Sequence, residues 1–411
     1  MLLALLAAPL SARAQPAEPG PGTRHARPHP GETLSVGLLT LARGDHPFFK
    51  FGHNAIWIHD LRTGRDRVYN FGTFSFGSLS LIPKFFLGRF EYWLSASNLP
   101  ATLHHYRSEN RSVQVQQLRL TPEQRWLLYQ RLEENLKPKN RYYRYDYFRD
   151  NCSTRVRDAI DGVLGGRLRQ LTAGRPASMT FRGHMLRLTA DLLPEYVLLH
   201  FATAGLIDRP ITEWDEGFIP ENLQESVRRL TVPGPDGKPR PLVALERTLV
   251  TDDRAPPFAA KPHWAGRFML AGGALGGALL LAGRARRGRR AARVLVGLVV
   301  ALLGLVFGFL GTCFVLLWTL TDHEVGYANE NILQCAPWAL ALAVYGIGVA
   351  LDRPAALRKA YWLTLGAAAA AALGLVLKVL PWFYQDNWQV IGLMLPLWAG
   401  GALALRALVH K

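Results

Sequence analysis

From Ala265 onward the chain is dominated by five apolar runs, roughly 265–283, 294–319, 335–351, 360–380 and 390–408. Each approaches the ~20 residues an α-helix needs to cross a hydrocarbon core, the third being the shortest. Charge punctuates them. Arg284, Arg286, Arg287, Arg289, Arg290 and Arg293 crowd the first connection, Arg353, Arg358 and Lys359 the third, and Arg406 and Lys411 flank the end. The intervening connections, 320–334 and 381–389, hold no Lys or Arg. Basic loops stay on the cytoplasmic side, so the two loops without Lys or Arg face outward, and with them the long segment that precedes Ala265.

The N-terminus agrees with that orientation. Met1 to Ala14 is a short apolar stretch ending in Ala12-x-Ala14, the pattern of a secretory signal with a small-residue cleavage site. Residues 15–30, rich in Pro, Ala and Gly, read as a linker. The expected organisation is therefore a signal peptide (1–14), a linker (15–30), an exported domain (31–263) and a transmembrane domain (264–411) of about five helices. The net charge of +17 is partly topological arginine. The remainder is spread over the exported domain and suits a surface beside anionic lipid headgroups. An exported, membrane-tethered domain argues against nucleic acid as a partner. No oligomeric state is specified.

The exported segment mixes both periodicities. Glu32–Leu41, His53–His59, Arg67–Phe76, Leu79–Leu87, Tyr92–Ala96 and Val113–Leu118 read as a β-rich portion, with Asp60 to Asp66 as a hairpin turn. Thr121-Pro122-Glu123 starts a helix running to about Leu136, with Thr as cap and Pro at the first position. Leu192–Ala204 reads as an amphipathic helix, Pro239–Val250 as a late strand, and Asp208–Pro220 as a segment lying over a site. The fold class is an α+β domain, antiparallel sheet plus helices, followed by an all-α membrane bundle.

Three cysteines occur, and Cys152 alone lies in the exported domain. Exported cysteines are usually paired, so a single one is a candidate reactive thiol. It follows Asp150 and Asn151, either of which can cap a helix whose first turn carries the thiol. The N-terminal end of a helix favours thiolate over thiol. The matching base is His53, which opens an apolar strand, and Asn70 on the next strand is the candidate that orients its imidazole, with Thr73 and His59 as alternatives. Asn151, Ser153 and Tyr147 flank the thiol as binding candidates. Asp322, His323, Asn329 and Asn331 form a polar cluster in the outward loop between the second and third runs, suited to binding a headgroup or docking the domain. His46, His104 and His105 lack acidic or cysteine partners at ligand spacing, so neither metal nor other cofactor is expected.

The pair FGHNAIWI (51–58) and DNCSTRVRDAI (150–160) resembles the exported domain of the Lnb type, found in bacterial lipoprotein N-acylation. DRPITEWDEGFIPENL (208–223) and TDHEVGYANENILQ (321–334) are also similar to that family. The domain type is distantly similar to permuted papain-like enzymes related to lecithin:retinol acyltransferase. The resemblance implies a permuted papain-like fold with Cys152 as nucleophile and His53 as base. It further implies an inner-membrane enzyme that moves an acyl chain on a lipoprotein, or on another membrane lipid, through a thioester. Two other functions use the same residues differently: a papain-like peptidoglycan peptidase or amidase, and a non-catalytic envelope binding or assembly protein.

Overall fold

The computed structural model describes residues 29–74, 81–285 and 289–409; the expected signal peptide and nearly all of the linker lie outside them. The outward domain contains strands β1 (Leu34–Leu41), β2 (His53–Asp60), β3 (Asp66–Thr73), β4 (Glu91–Ser97), β5 (Val113–Leu118), β6 (Tyr142–Arg144), β7 (Thr231–Pro233), β8 (Pro239–Pro241) and β9 (Val243–Val250). Its helices are α1 (Leu81–Phe86), α2 (Leu99–Ser108), α3 (Pro122–Leu136), α4 (Cys152–Val163), α5 (Arg167–Thr172), α6 (Phe181–Thr189), α7 (Leu193–Ala202), α8 (Glu213–Glu216) and α9 (Pro220–Arg229). Seven strands form one antiparallel sheet in the order β6-β4-β3-β2-β1-β5-β9, and β7 and β8 make a separate hairpin.

Strand alternation gives this sheet two buried faces. Val36, Leu38, Ile56, Ile58, Tyr69 and Phe71 pack with α3 and with Val156 and Ile160 of α4. Leu39, Leu41, Ala55 and Val68 pack on the other side with Tyr106 of α2. α3 starts as its sequence requires: the Thr121 hydroxyl accepts from the Gln124 N–H, and the Gln124 side chain returns the bond. One stretch differs from expectation. Leu79–Leu87 was expected in the β-rich portion, but its described part is helical, closed by Leu87 N–H to Pro83 and Arg89 N–H to Lys84 around Gly88 at φ +70°. A short apolar run fits either periodicity, and here local turn closure decides.

Beyond the tether lie α10 (Ala265–Arg284), α11 (Arg289–Leu320), α12 (Leu342–Ala350), α13 (Pro354–Val376) and α14 (Trp388–Val409). Among the described residues four helices, not about five, are long and apolar enough to cross a membrane; the third run yields a 3-10 segment (Pro337–Ala341) and the nine-residue α12. This shortened segment still runs antiparallel along α11. A Cβ on Gly311 would meet the Cys335 carbonyl, one on Gly308 the Leu340 backbone, and one on Gly297 the Ala350 and Gly346 backbones. Glycine permits that backbone-to-backbone approach. Arg293 pairs with Asp352 at one end of the bundle and Lys378 with Glu330 at the other, so the Arg-rich connections share an end. Exposed Trp318, Trp382, Tyr384 and Trp388 ring the opposite, outward end, where interfacial aromatics belong.

Candidate functional site

α4 begins at the cysteine because Asn151 caps it. Its side-chain oxygen accepts from the Ser153 and Thr154 N–H groups, both at 2.9 Å, and its amide donates to the Tyr147 and Phe218 carbonyls at 3.0 Å. Ser153 is wholly buried, its hydroxyl 2.7 Å from the Asn54 side-chain oxygen and 2.6 Å from the Gly217 carbonyl, so its single proton serves one of them at a time. Asn151 and Ser153 thus join α4 to β2 and to the 208–220 segment. That segment braces the first turn of α4, with Arg157 stacked on Trp214 at 3.9 Å.

Position 53 is the first residue of β2. The β2–β3 ladder pairs only Ile56 with Tyr69 through His59 with Asp66, and β3 shifts register between Asn70 and Thr73. The two strands are therefore unzipped where His53 and Asn54 approach Gly72. Cys152 fills this gap. A Cβ on Gly72, which holds φ +83°, would stand 3.4 Å from Cys152 Cβ and 3.4 Å from the Tyr145 ring. The backbone N–H groups of Asn54, Ser153 and Cys152 and the Tyr145 hydroxyl point at the sulfur.

The His53 ring nitrogen Nε2 lies 3.2 Å from Asn70 Oδ1. The Asn70 amide nitrogen is committed to the Val68 carbonyl at 3.1 Å and Ser97 Oγ at 3.3 Å. Its oxygen therefore faces the ring, Nε2 carries the proton, and Nδ1 keeps a free lone pair. By alternation His53 and Asn70 stand on the Ala55 and Val68 face of the sheet, while Asn54 faces α4. The thiol meets the imidazole's strand only because it enters through the open end of the ladder. Among the described residues the imidazole makes no hydrogen bond to Cys152; its side-chain partner is Asn70.

Electrostatics correct one expectation. The capped helix end and four donors favour thiolate, yet burial outweighs them and pushes the Cys152 thiol above its ordinary value. Burial likewise depresses the His53 imidazole to about 4, against the opposing Asn70 bond and aided by the Arg111 guanidinium. At rest both groups are neutral.

A cleft of about 230 Å³ opens on the far side of Tyr145. Its walls are Phe90, Tyr92, Tyr145 and Tyr147 from the domain and Asp322, His323 and Glu324 from the loop after α11. Tyr145 stacks on Tyr92 with ring centroids 4.2 Å apart, and the Tyr147 and His323 rings are parallel at 6.4 Å. Arg89 and Arg144 converge on Asp322 at 3.0 and 3.4 Å. Tyr147, Asp322 and His323 thus come together at one rim. Asn329 and Asn331 lie elsewhere, buried and donating to the His200 and Phe201 carbonyls at the end of α7, the docking role of the two they suit. His59 sits at the opposite end of β2, with its ring 5.8 Å from Trp57. Among the described residues no three His, Cys, Asp or Glu side chains group as metal ligands.

Sequence reasoning missed Tyr145, Gly72 and the two arginines. Tyr145 stood in the aromatic run leading into α4, where position alone did not separate it from Tyr143 and Tyr147.

An outward α+β domain seated on apolar helices defines a membrane protein with an external domain. Residues 26–185 match the model of the Lnb N-terminal periplasmic domain family, which supports a periplasmic place for this domain. The match spans the sheet through β6 together with α4, and contains His53, Asn70, Tyr145 and Cys152. No curated protein and no solved structure matches the chain.

Proposed function

We propose that the protein is a cysteine-dependent acyltransferase or lipid hydrolase of the inner membrane, acting at its periplasmic face on an acyl ester of a lipoprotein or phospholipid. The observation that carries this reading is the cleft. It lies between the loop after α11 and aromatic walls of the domain, and one of those walls, Tyr145, turns its hydroxyl to the buried Cys152 sulfur behind it. Cys152 Sγ attacks the ester carbonyl while its proton passes to His53 Nδ1. The C–O bond breaks, the departing alkoxide takes that proton, and a thioester is left on Cys152. His53 then deprotonates an amine or water, which releases the acyl group and restores the thiol. Asn70 holds the ring, and the Tyr145 hydroxyl is suited to stabilise the oxyanion. Neutral resting partners fit a proton transfer coupled to attack. The permuted papain-like relationship belongs to this same proposal.

Purified full-length protein should release or transfer acyl groups from lipidated substrates, read by mass spectrometry, and Cys152→Ala should abolish this while its thermal unfolding stays near that of the parent. Activity retained by Cys152→Ala would overturn the reading. The raised thiol favours a second reading, a binding module. Under that reading Cys152 reacts with an acyl-fluoride lipid probe no faster than it does with iodoacetamide; the enzyme reading requires selective acylation by the probe.

A further inference from the structure

α7 belongs to the outward domain by sequence, yet its C-terminal turn is built into the membrane half. Phe201 packs in one buried cluster with Val300, Phe314 and Trp398, and its ring lies 6.1 Å from that of Phe307. Phe307 is near the midpoint of α11 (Arg289–Leu320), about 20 Å from the outward end at ~1.5 Å per residue. The carbonyls ending α7 are bonded by Asn329, Asn331 and Gln385, and the Ala204 N–H by the Val325 carbonyl. The N-terminal side is anchored in polar surroundings, where Asp191 pairs with Arg43 and Lys50. Tyr196 lies between these levels, its ring tilted against that of Trp264 with centroids 4.8 Å apart, just ahead of α10.

Tyr196, His200 and Phe201 make the buried face of this helix. Leu198 points away from that face and is 58% exposed, and at the N-terminal start of the helix Leu192 and Leu193 are 38 and 54% exposed. Neighbouring α10 exposes Met269 and Leu270, which on a membrane helix contact lipid. Leucines exposed beside lipid-facing residues of a membrane helix are more stable against hydrocarbon than against water.

We propose that α7 is inserted obliquely into the outer leaflet of the bilayer, with Leu192, Leu193 and Leu198 in contact with lipid acyl chains. The periplasmic domain is then a partly embedded body, held by α7 as well as by the chain tether. The inference stands whether or not Cys152 performs chemistry.

The test uses the full chain in lipid nanodiscs, in a Cys152→Ala, Cys313→Ala background that leaves only buried Cys335. Leu198→Cys and Leu193→Cys are each labelled with the fluorophore NBD, and Leu61→Cys, on the β2–β3 turn, serves as the water-exposed reference. Emission from positions 198 and 193 is expected to be blue-shifted and quenched several-fold more strongly by acyl-chain nitroxide lipids than emission from position 61. Emission and quenching at 198 and 193 equal to those at 61 would overturn the proposal. The two sites are read independently, so poor folding of one variant leaves the other to decide.

Discussion

At His53 the controlling quantity is desolvation. The unfolded chain protonates this imidazole near its ordinary 6.5, whereas the folded chain resists until about 4. As pH falls through that window the unfolded state takes up the proton first, so stability present above about 6.5 is progressively lost down to about 4. At ~1.4 kcal/mol per unit the loss reaches about 3 kcal/mol. Comparing thermal unfolding of the parent with His53→Gln between these pH values should show a steeper loss in the parent. The thiol moves the other way: Cys152 alkylation by iodoacetamide should lag free cysteine at neutral pH and rise at a more alkaline pH than free cysteine does. Gly72 is the residue that admits the sulfur. Gly72→Ala forces a side chain into left-handed backbone at a cost of about 1–2 kcal/mol, and it crowds Cys152 and Tyr145. Its expected signature is reduced turnover together with a lowered unfolding temperature.

At the scale of elements, the joint between domain and membrane half is polar and buried. Asn331 donates to two carbonyls of α7 and accepts from Asn387 at 2.8 Å, while Gln385 bridges Thr203 and Asn329. Asn331→Ala removes one buried donor to these carbonyls and the side-chain acceptor of the buried Asn387 amide, which costs about 1–3 kcal/mol. Differential scanning fluorimetry in detergent should register this as a lower unfolding temperature, whereas an alanine at exposed Leu61 should leave it unchanged. The polar cluster of the outward loop was legible in the sequence, but its division was not. Asp322 and His323 go to the cleft, whereas Asn329 and Asn331, a few residues later, go to the joint. Only the path of the chain back toward α11 separates them.

At the scale of the molecule, ion pairs mark the two ends of the bundle. The shortened third segment carries the chain from the outward end at Glu330 to the arginine-rich end at Asp352, although α12 is only nine residues long. Reporter fusions should therefore report a cytoplasmic position after Asp352 and a periplasmic one after Ala328. The same side for both would refute the crossing.

What the sequence determined by itself was local or additive: apolar length, the bias of arginine between loops, the helix start at Asn151-Cys152, and strands whose alternation is visible in β1 and β2. These depend on neighbours along the chain, so one dimension suffices to read them. What the tertiary structure decided depends on distant segments meeting. The open end of the β2–β3 ladder lets a thiol from α4 reach the strand of His53, and the donation of Asn70 to Val68 and Ser97 selects the tautomer. Burial overrules the helix end at Cys152, because desolvation is summed over everything packed around the sulfur. Glycines on α11 let the broken third segment pack closely along it, since close backbone approach is a property of two elements and of neither alone.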